Sequence, residues 1–544
     1  MTTTEPRSPR ADLLGAAARL AEGLLVLSLL RAFWLLVTTD ARAIAFPYPV
    51  DYGEGQLLDQ VMRLSRFEGI YPPLSAQLPH NIANYPPVYP LLQVPLAWLF
   101  GPALWYGRAL SFLGALATGA LIARVLLVTT GDRFASLVAG ATFLSLPYVV
   151  AWSALVRVDC VALALSWSGL ALITPLAARR PSRILAAGLF VLAGFTRQSY
   201  FLAAPLAALV WLIGQRRRAQ AVELLLWVAG LGGLGLLALM GATGGAFWTH
   251  VVVATGANVN EFGWPRVANY AQDLAVRAPY LLISAMALLA LAPRVPNATP
   301  WLVGPYLLGA AGSAILVGKV GSNLNYLLEL AAALGLAAGA LLAAARNHRT
   351  LRSVLAFALA IQVASVHSWS AVQAEKLDMK TTRSTAVLDR LRREVAETPG
   401  LVLADEYMAL IPLEGRAVAY QPYEMKQLAQ AGLWDERPFV EDIERRRFAL
   451  ILVDTHYVSA RWTPAQRAAM DACYEEVGRH PRQLRPLQKP LQRLPVRGAI
   501  AVFRALRHER AMIRTPPLKK QSCFYGRRCE IILVGRIGLS MGAA

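Results

Sequence analysis

Charged side chains are scarce in this sequence. They make up only 16% of its 544 residues, whereas hydrophobic side chains make up 56%, and the mean hydropathy is +0.42. A soluble domain carries considerably more charge, because its surface has to be solvated by water. The composition therefore excludes an ordinary soluble protein and predicts a chain whose apolar segments are solvated by lipid.

Cysteine is also rare, with four residues in the whole chain. Cys160 lies in an apolar run and Cys473 in a predicted helix, and no zinc-ligand spacing connects them to other residues. Cys523 and Cys529 lie near the C-terminus, where a disulfide bond on the external side and two free thiols agree equally well with the sequence. A disulfide framework cannot be derived from this pattern.

The net charge of +20 does not predict a nucleic-acid partner, because no basic patch with interleaved aromatic residues is present. Most arginines instead lie in short loops between apolar runs, as at 179–183 and 216–218. Basic residues in such loops are typical of the cytoplasmic side of a membrane protein. The charge is therefore interpreted as a determinant of membrane topology, and membrane lipids are the expected surroundings.

The apolar runs predict about eleven membrane-spanning helices with a cytoplasmic N-terminus. They lie near residues 13–37, 104–128, 134–150, 158–176, 184–196, 198–214, 222–241, 278–293, 301–318, 323–345 and 351–369. With this orientation, the arginine-rich loops lie on the cytoplasmic side of the membrane. The first run is too long for a signal peptide and predicts an uncleaved signal anchor, with cleavage after Ala41–Ala43 as the alternative.

Residues 88–100 are apolar but carry Pro90 and Pro95 and cover only about half a bilayer. We interpret them as an interfacial or re-entrant helix. If they crossed the membrane, every later loop would change sides and the arginine pattern would be violated.

The chain is predicted to have three parts. Residues 1–370 form a transmembrane domain that includes a large external loop at 39–87, and residues 371–512 form a small external α/β domain. Buried strands are expected at 401–403, 449–453 and 499–503, and Thr463 and Pro464 are expected to begin a helix that reaches about Val477. Residues 513–544 are a basic tail for which we expect little order.

Two carboxylates of the first external loop, Asp51 and Glu54, lie about one helical turn apart just outside the first apolar run. A partly desolvated carboxylate near a membrane face is suited to act as a general base for an acceptor hydroxyl. Either carboxylate is also a candidate ligand for a divalent metal ion, the one cofactor that the sequence suggests. The alternative is that both acids only cap a helix at 56–68.

Three cations are predicted to lie at the outer membrane face, namely Arg157, Arg197 and Lys319. Cations that converge there could bind a lipid-linked phosphate and stabilise it as a leaving group. Each of them alone also fits a helix-end anchor. Near these residues, further candidates for substrate binding are Asp159, Gln198, Tyr85, His250, Asn325, Tyr326 and Glu329.

The order of these motifs resembles the GT-C superfamily of membrane glycosyltransferases. The resemblance comes from the acidic motif after the first span, the stretch Tyr85-Pro86-Pro87-Val88-Tyr89-Pro90, and Gly107-Arg108-Ala109-Leu110-Ser111 at the next span. Arg157-Val158-Asp159 and Phe195-Thr196-Arg197-Gln198 are similar to the branch that contains bacterial relatives of the dolichyl-phosphate-mannose protein mannosyltransferases and the lipid A aminoarabinose transferase.

This resemblance implies an α-helical polytopic protein of the bacterial cytoplasmic membrane that takes a sugar from a polyprenyl-phosphate donor. The acceptor would be a lipid, glycan or protein hydroxyl on the external face. The family role of an acidic residue in the first external loop, as base or metal ligand, corresponds to Asp51 or Glu54. In-line attack on the anomeric carbon would invert its configuration.

Two other function classes remain open from the sequence. A secondary transporter or lipid flippase would explain the spans and the charges near the membrane, although it predicts internal repeats that are not evident. A non-catalytic scaffold would bind the lipid-linked sugar without turnover.

Overall fold

The structure is a computed structural model that describes residues 9–75, 77–257, 262–291, 299–382, 385–481 and 499–505. The predicted tail, with Cys523 and Cys529, lies outside these residues. Two compact units are present. The membrane unit comprises the described residues of Met1–Tyr71 and Ile82–Arg383, and the α/β unit comprises those of Pro72–Asn81 and Ser384–Ala544.

The membrane unit is built from helices. Their bounds are Pro9–Ala45, Tyr52–Ser65, Val88–Phe100, Trp105–Thr130, Arg133–Ser145, Pro147–Trp152, Asp159–Leu176, Arg180–Gly194, Ala203–Gly214, Arg218–Ala242, Ala246–Trp248, Thr255–Ala257, Trp264–Arg277, Pro279–Ala290, Thr299–Ile315, Leu328–Ala344 and Arg349–Thr381. A π-helix covers Thr249–Ala254, and 3₁₀ turns cover Gln198–Phe201, Leu316–Gly318 and Leu324–Leu327.

Where the structure describes them, the eleven predicted apolar segments are mostly helical, although the segment 134–150 is divided into Arg133–Ser145 and Pro147–Trp152. Seven helices of the described chain are long and apolar enough to cross a membrane, and an eighth crossing results if the bent pair Trp264–Arg277 and Pro279–Ala290 is one span. Residues 88–100 form a helix whose 13 residues extend about 20 Å, which is shorter than the hydrocarbon core. The predicted polytopic helical class is confirmed.

Small residues let the membrane helices approach each other closely. A Cβ atom on Gly114 would lie 2.8 Å from the backbone carbon of Cys160, and one on Gly339 would lie 2.7 Å from the carbonyl oxygen of Ala135. Such contacts are typical of helix packing in membranes, where no hydrophobic force drives helices together. The Gly114 contact holds the beginning of the helix Asp159–Leu176 against the helix Trp105–Thr130.

The α/β unit contains a four-stranded sheet in the order β1-β2-β4-β3, where β1 is Leu401–Ala404, β2 is Phe448–Asp454, β3 is Tyr474–Pro481 and β4 is Ala499–Ala505. β1 and β2 are parallel, and the other two pairs are antiparallel. Its helices are Thr385–Glu397, Leu410–Leu413, Pro422–Gln430, Arg437–Glu444, Val458–Arg461 and Pro464–Cys473. All three predicted strands are present.

Two details of this unit differ from the prediction. Thr463 caps its helix as expected, but the helix ends at Cys473 and the chain continues as β3, because pairing with β4 satisfies its backbone groups. The segment Pro72–Asn81 belongs to this unit, although the sequence assigned it to the membrane domain. The backbone N–H of His80 donates to the carbonyl oxygen of Ala419 at 2.8 Å, and its carbonyl oxygen accepts the N–H of Gln421 at 3.1 Å.

Candidate active site

Glu54 lies in the first turn of the helix Tyr52–Ser65 and is fully buried against Arg108. The Nε and Nη2 atoms of Arg108 each donate to one Glu54 oxygen at 2.8 Å. The backbone N–H groups of Val50, Asp51 and Val156 also donate to this carboxylate, at 2.8, 3.3 and 3.0 Å. Since a carboxylate offers about four acceptor positions, these five donors saturate it.

Arg108 also binds the chain that connects the first two helices. Its guanidinium donates to the carbonyl oxygens of Ala43, Phe46 and Tyr48, at 2.6, 2.5 and 2.7 Å. The Glu54–Arg108 pair therefore fixes the turn that leads into the acidic motif. The sequence did not predict a role for Arg108 beyond its place in the motif Gly107-Arg108-Ala109-Leu110-Ser111. The informative signal was a charge at the start of an apolar span, where charges are costly.

Asp51 precedes the same helix and caps it, as the alternative interpretation proposed, and its carboxylate accepts the N–H of Gly53 at 3.0 Å. The same carboxylate forms an ion pair with Arg157, and its side chain is 20% exposed, whereas Glu54 is 0% exposed. Burial raises the pKa of Asp51, but the positive charges of Arg157 and Lys380 outweigh this effect and lower the pKa below its usual value. Asp51 is therefore ionised at neutral pH.

Lys380 is a site residue that the sequence did not predict. The last apolar helix, Arg349–Thr381, continues well past its predicted end at 369 and carries Lys380 in its last turn. The ammonium donates to the carbonyl oxygen of Val50 at 2.7 Å and acts electrostatically on Asp51. The signal in the sequence was the charged continuation of the last apolar helix. The Val50 carbonyl group that Lys380 contacts, however, lies 330 positions away in the sequence.

Arg157 and Asp159 have different partners. Arg157 lies in the turn before the helix Asp159–Leu176, with its guanidinium against Gly53 and 5.6 Å from the ring centre of Trp152. Asp159 is buried, accepts the indole N–H of Trp152 at 2.7 Å and forms an ion pair with Arg197. Two separate ion pairs result, Asp51–Arg157 and Asp159–Arg197.

Arg197 is surrounded by several of the predicted substrate-binding residues. Its guanidinium lies 4.4 Å from the ring centre of Tyr326, and Asn325 donates to Asp159 at 3.1 Å. Tyr85 is close enough to interact electrostatically with both Arg157 and Arg197. Tyr85 therefore lies near the arginine of each ion pair.

Lys319 and Glu329 complete this cluster. Lys319 follows the 3₁₀ turn Leu316–Gly318, and burial together with the nearby Arg197 lowers the pKa of its ammonium group. Glu329 is buried in the helix Leu328–Ala344 and also acts electrostatically on Arg197. Lys319 is therefore near Arg197, and Arg197 shares its neighbour Tyr85 with Arg157.

Gln198 and His250 hold the loop beside Tyr85. The Gln198 amide donates to the carbonyl oxygens of Asn84 and Val251, at 3.1 Å each. The Nδ1 atom of the buried His250 accepts the N–H of Ala83 at 3.1 Å. These contacts order the backbone that carries Tyr85.

Asp51 and Glu54, the predicted metal ligands, are surrounded by hydrogen-bond donors and cations. No group of three His, Cys, Asp or Glu side chains suited to a metal ion occurs among the described residues. The oxygens of Glu54 are taken by Arg108 and three backbone N–H groups, and Asp51 faces Arg157 and Lys380. These residues do not fit a divalent metal ion, because cations occupy the surroundings that further oxygen ligands would need.

Comparisons with known proteins give a shared fold. No protein-family model matches the sequence, and no curated protein sequence matches it. The structure is similar to the crystal structures of ArnT from Cupriavidus metallidurans in the apo state and bound to undecaprenyl phosphate, with 13% and 15% identity. Both have a TM-score of 0.55 and cover 88% of this chain and 98% of ArnT.

The structure is also similar to that of the oligosaccharyltransferase from Archaeoglobus fulgidus in the apo form. The TM-score is 0.50 at 13% identity, over 84% of this chain and 73% of that chain. The described chain therefore shares the fold of ArnT and of this oligosaccharyltransferase, in agreement with the fold that the order of its motifs predicted.

Proposed function

We propose that this chain is a membrane glycosyltransferase that moves a sugar from a polyprenyl-phosphate donor to an acceptor hydroxyl. The observation that carries the proposal is the grouping of Arg197 and Lys319 beside the Asp51–Arg157 pair, on a GT-C fold. ArnT, which has the same fold, has been crystallised with undecaprenyl phosphate. A buried site with several cations and one accessible carboxylate suits the transfer of a group away from a phosphate.

In this proposal, Arg197 and Lys319 bind the phosphate of the donor. The guanidinium of Arg197 contacts the phosphate, while its ion pair with Asp159 and the ring of Tyr326 hold it in place. Asn325 in turn donates a hydrogen bond to Asp159. Charge-assisted hydrogen bonds from these two cations stabilise the negative charge that grows on the phosphate as it leaves.

Asp51 acts as the general base, and Glu54 does not. The acceptor oxygen forms a bond to the anomeric carbon while its proton passes to Asp51. The bond between the anomeric carbon and the phosphate oxygen breaks, and its electron pair stays on the polyprenyl phosphate. Attack opposite the leaving group inverts the anomeric centre. Glu54 cannot accept this proton, since Arg108 and three backbone groups saturate it.

The test is incubation of membranes containing the protein with a panel of radiolabelled polyprenyl-phosphate sugars, followed by identification of the labelled product. Asp51→Asn is expected to reduce transfer by about 100-fold or more, because it removes the general base. Asp378→Asn is the matched control, since Asp378 forms an exposed ion pair with Arg42. Full transfer by the Asp51 variant, or no transfer from any donor, would contradict the proposal.

We further propose that the arginine-rich loops are cytoplasmic and that the α/β unit and the site face outward. Alkaline phosphatase fused after Glu397 should then be active in intact bacterial cells. A green fluorescent protein at the same position should stay dark, and the reverse result would invert the topology.

A further inference from the structure

The surroundings of the acidic motif carry positive charge from the protein itself. Two cationic side chains lie beside Asp51, namely Arg157 from the turn before the helix Asp159–Leu176 and Lys380 from the last turn of the helix Arg349–Thr381. Each comes from a part of the chain distant in sequence, with Asp51 and Arg157 separated by 106 positions. Two separate elements of the membrane unit therefore place positive charge beside one carboxylate.

Gly53 makes room for the first of these cations. A Cβ atom at position 53 would overlap the Arg157 guanidinium, so only glycine allows the guanidinium to lie against the backbone beside Asp51. The Arg157 side chain is 15% exposed, and it also lies over the ring of Trp152. The location of the guanidinium is thus determined by packing on several sides.

Lys380 adds a second positive charge beside the same carboxylate. Its ammonium is held by the Val50 carbonyl oxygen at 2.7 Å, directly before Asp51 in the chain. A divalent ion at Asp51 would have to approach these two fixed positive charges, and it would gain no oxygen ligand from the saturated Glu54.

We propose that Arg157 and Lys380 supply the positive charge beside Asp51 that a divalent metal ion would otherwise provide, so that sugar transfer by this chain needs no metal. This inference rests on the proposed glycosyltransferase function. Arg157 holds the Asp51 carboxylate through their ion pair, and Lys380 is a positioning residue that fixes the Val50–Asp51 backbone. The proton of the acceptor hydroxyl passes to Asp51 as described above, and no further reactant is required.

Metal binding is measured first, with the full chain in lipid nanodiscs and Mn²⁺ as the probe in electron paramagnetic resonance. The wild-type chain is expected to give the same free Mn²⁺ signal as the Asp51→Asn variant. Stoichiometric binding that Asp51→Asn abolishes would overturn the inference, whether or not a sugar donor has been found.

Transfer is measured second, with and without EDTA. The expected result is an unchanged rate in EDTA and no stimulation by added Mn²⁺ or Mg²⁺. A rate that EDTA abolishes and Mn²⁺ restores would refute metal independence while leaving the transferase function intact. The absence of transfer under all conditions would instead contradict the function.

Variants of the two cations test their roles. Arg157→Met is expected to lower kcat by about 100-fold, as the loss of one fixed charge at a reacting centre commonly does. Lys380→Met should lower kcat less, and Lys380→Arg should restore much of the rate because it keeps the charge. Lys376→Met, one turn earlier on the same helix and exposed, is the matched control and should behave as wild type. Equal rates for Lys380→Met and Lys376→Met would remove Lys380 from the proposal.

Discussion

Replacing Arg108 by methionine is expected to destabilise the membrane unit strongly. Arg108 donates five hydrogen bonds of 2.5–2.8 Å, two to Glu54 and three to backbone carbonyls, and neither side chain of the pair is exposed. Removing one partner of a buried ion pair costs about 3–5 kcal/mol, because the other charge stays buried without compensation. Methionine retains an apolar stem of similar length, so most of the loss is electrostatic.

The assay is unfolding of the purified protein in nanodiscs, followed by tryptophan fluorescence, for Arg108→Met, Glu54→Gln and the double variant. The double variant should lose less than the sum of the single losses, since it leaves no uncompensated charge. Arg42→Met is the matched control, because Arg42 is 61% exposed in its ion pair with Asp378 and should cost about 0–1 kcal/mol. If Arg108→Met and Arg42→Met unfold alike, the reasoning about the buried pair is wrong.

Three further predictions concern the donor cation, the loop and the α/β unit. Lys319→Met should reduce kcat/KM for the donor by about 10- to 100-fold, since a charged hydrogen bond to phosphate contributes about 1.5–3 kcal/mol; steady-state kinetics across donor concentrations test this. His250→Ala should expose the Ala83 backbone and make the nearby loop more sensitive to limited proteolysis, whereas a wild-type cleavage pattern would contradict its role in holding the loop. Burial lowers the pKa of His80 to about 4, so the α/β unit should lose stability as the pH falls from 6.5 toward 4. His80→Phe should remove this loss because phenylalanine fits among Tyr420, Trp434 and Phe439, and unfolding temperatures at several pH values measure it.

The sequence by itself determined the parts of the structure that depend on local pattern. Apolar runs long enough for a bilayer became helices, and alternation of buried strands and helices produced the α/β unit. The cap at Thr463 was also predictable, because a capping hydroxyl and a following proline act within a few residues. The end of that helix at Cys473 was not predictable, because β3 forms by pairing with β4, which comes later in the sequence.

Tertiary structure alone decided how the two acids of the first loop differ. Asp51 and Glu54 look equivalent in sequence, but packing buries Glu54 against Arg108 and leaves Asp51 partly exposed beside Arg157 and Lys380. Which partner a charged side chain meets depends on how helices cross, and those crossings depend on close contacts such as that of Gly114 with Cys160. Local periodicity carries no information about such distant contacts, so the sequence predicted the acidic motif and the fold determined which of its carboxylates remains accessible for chemistry.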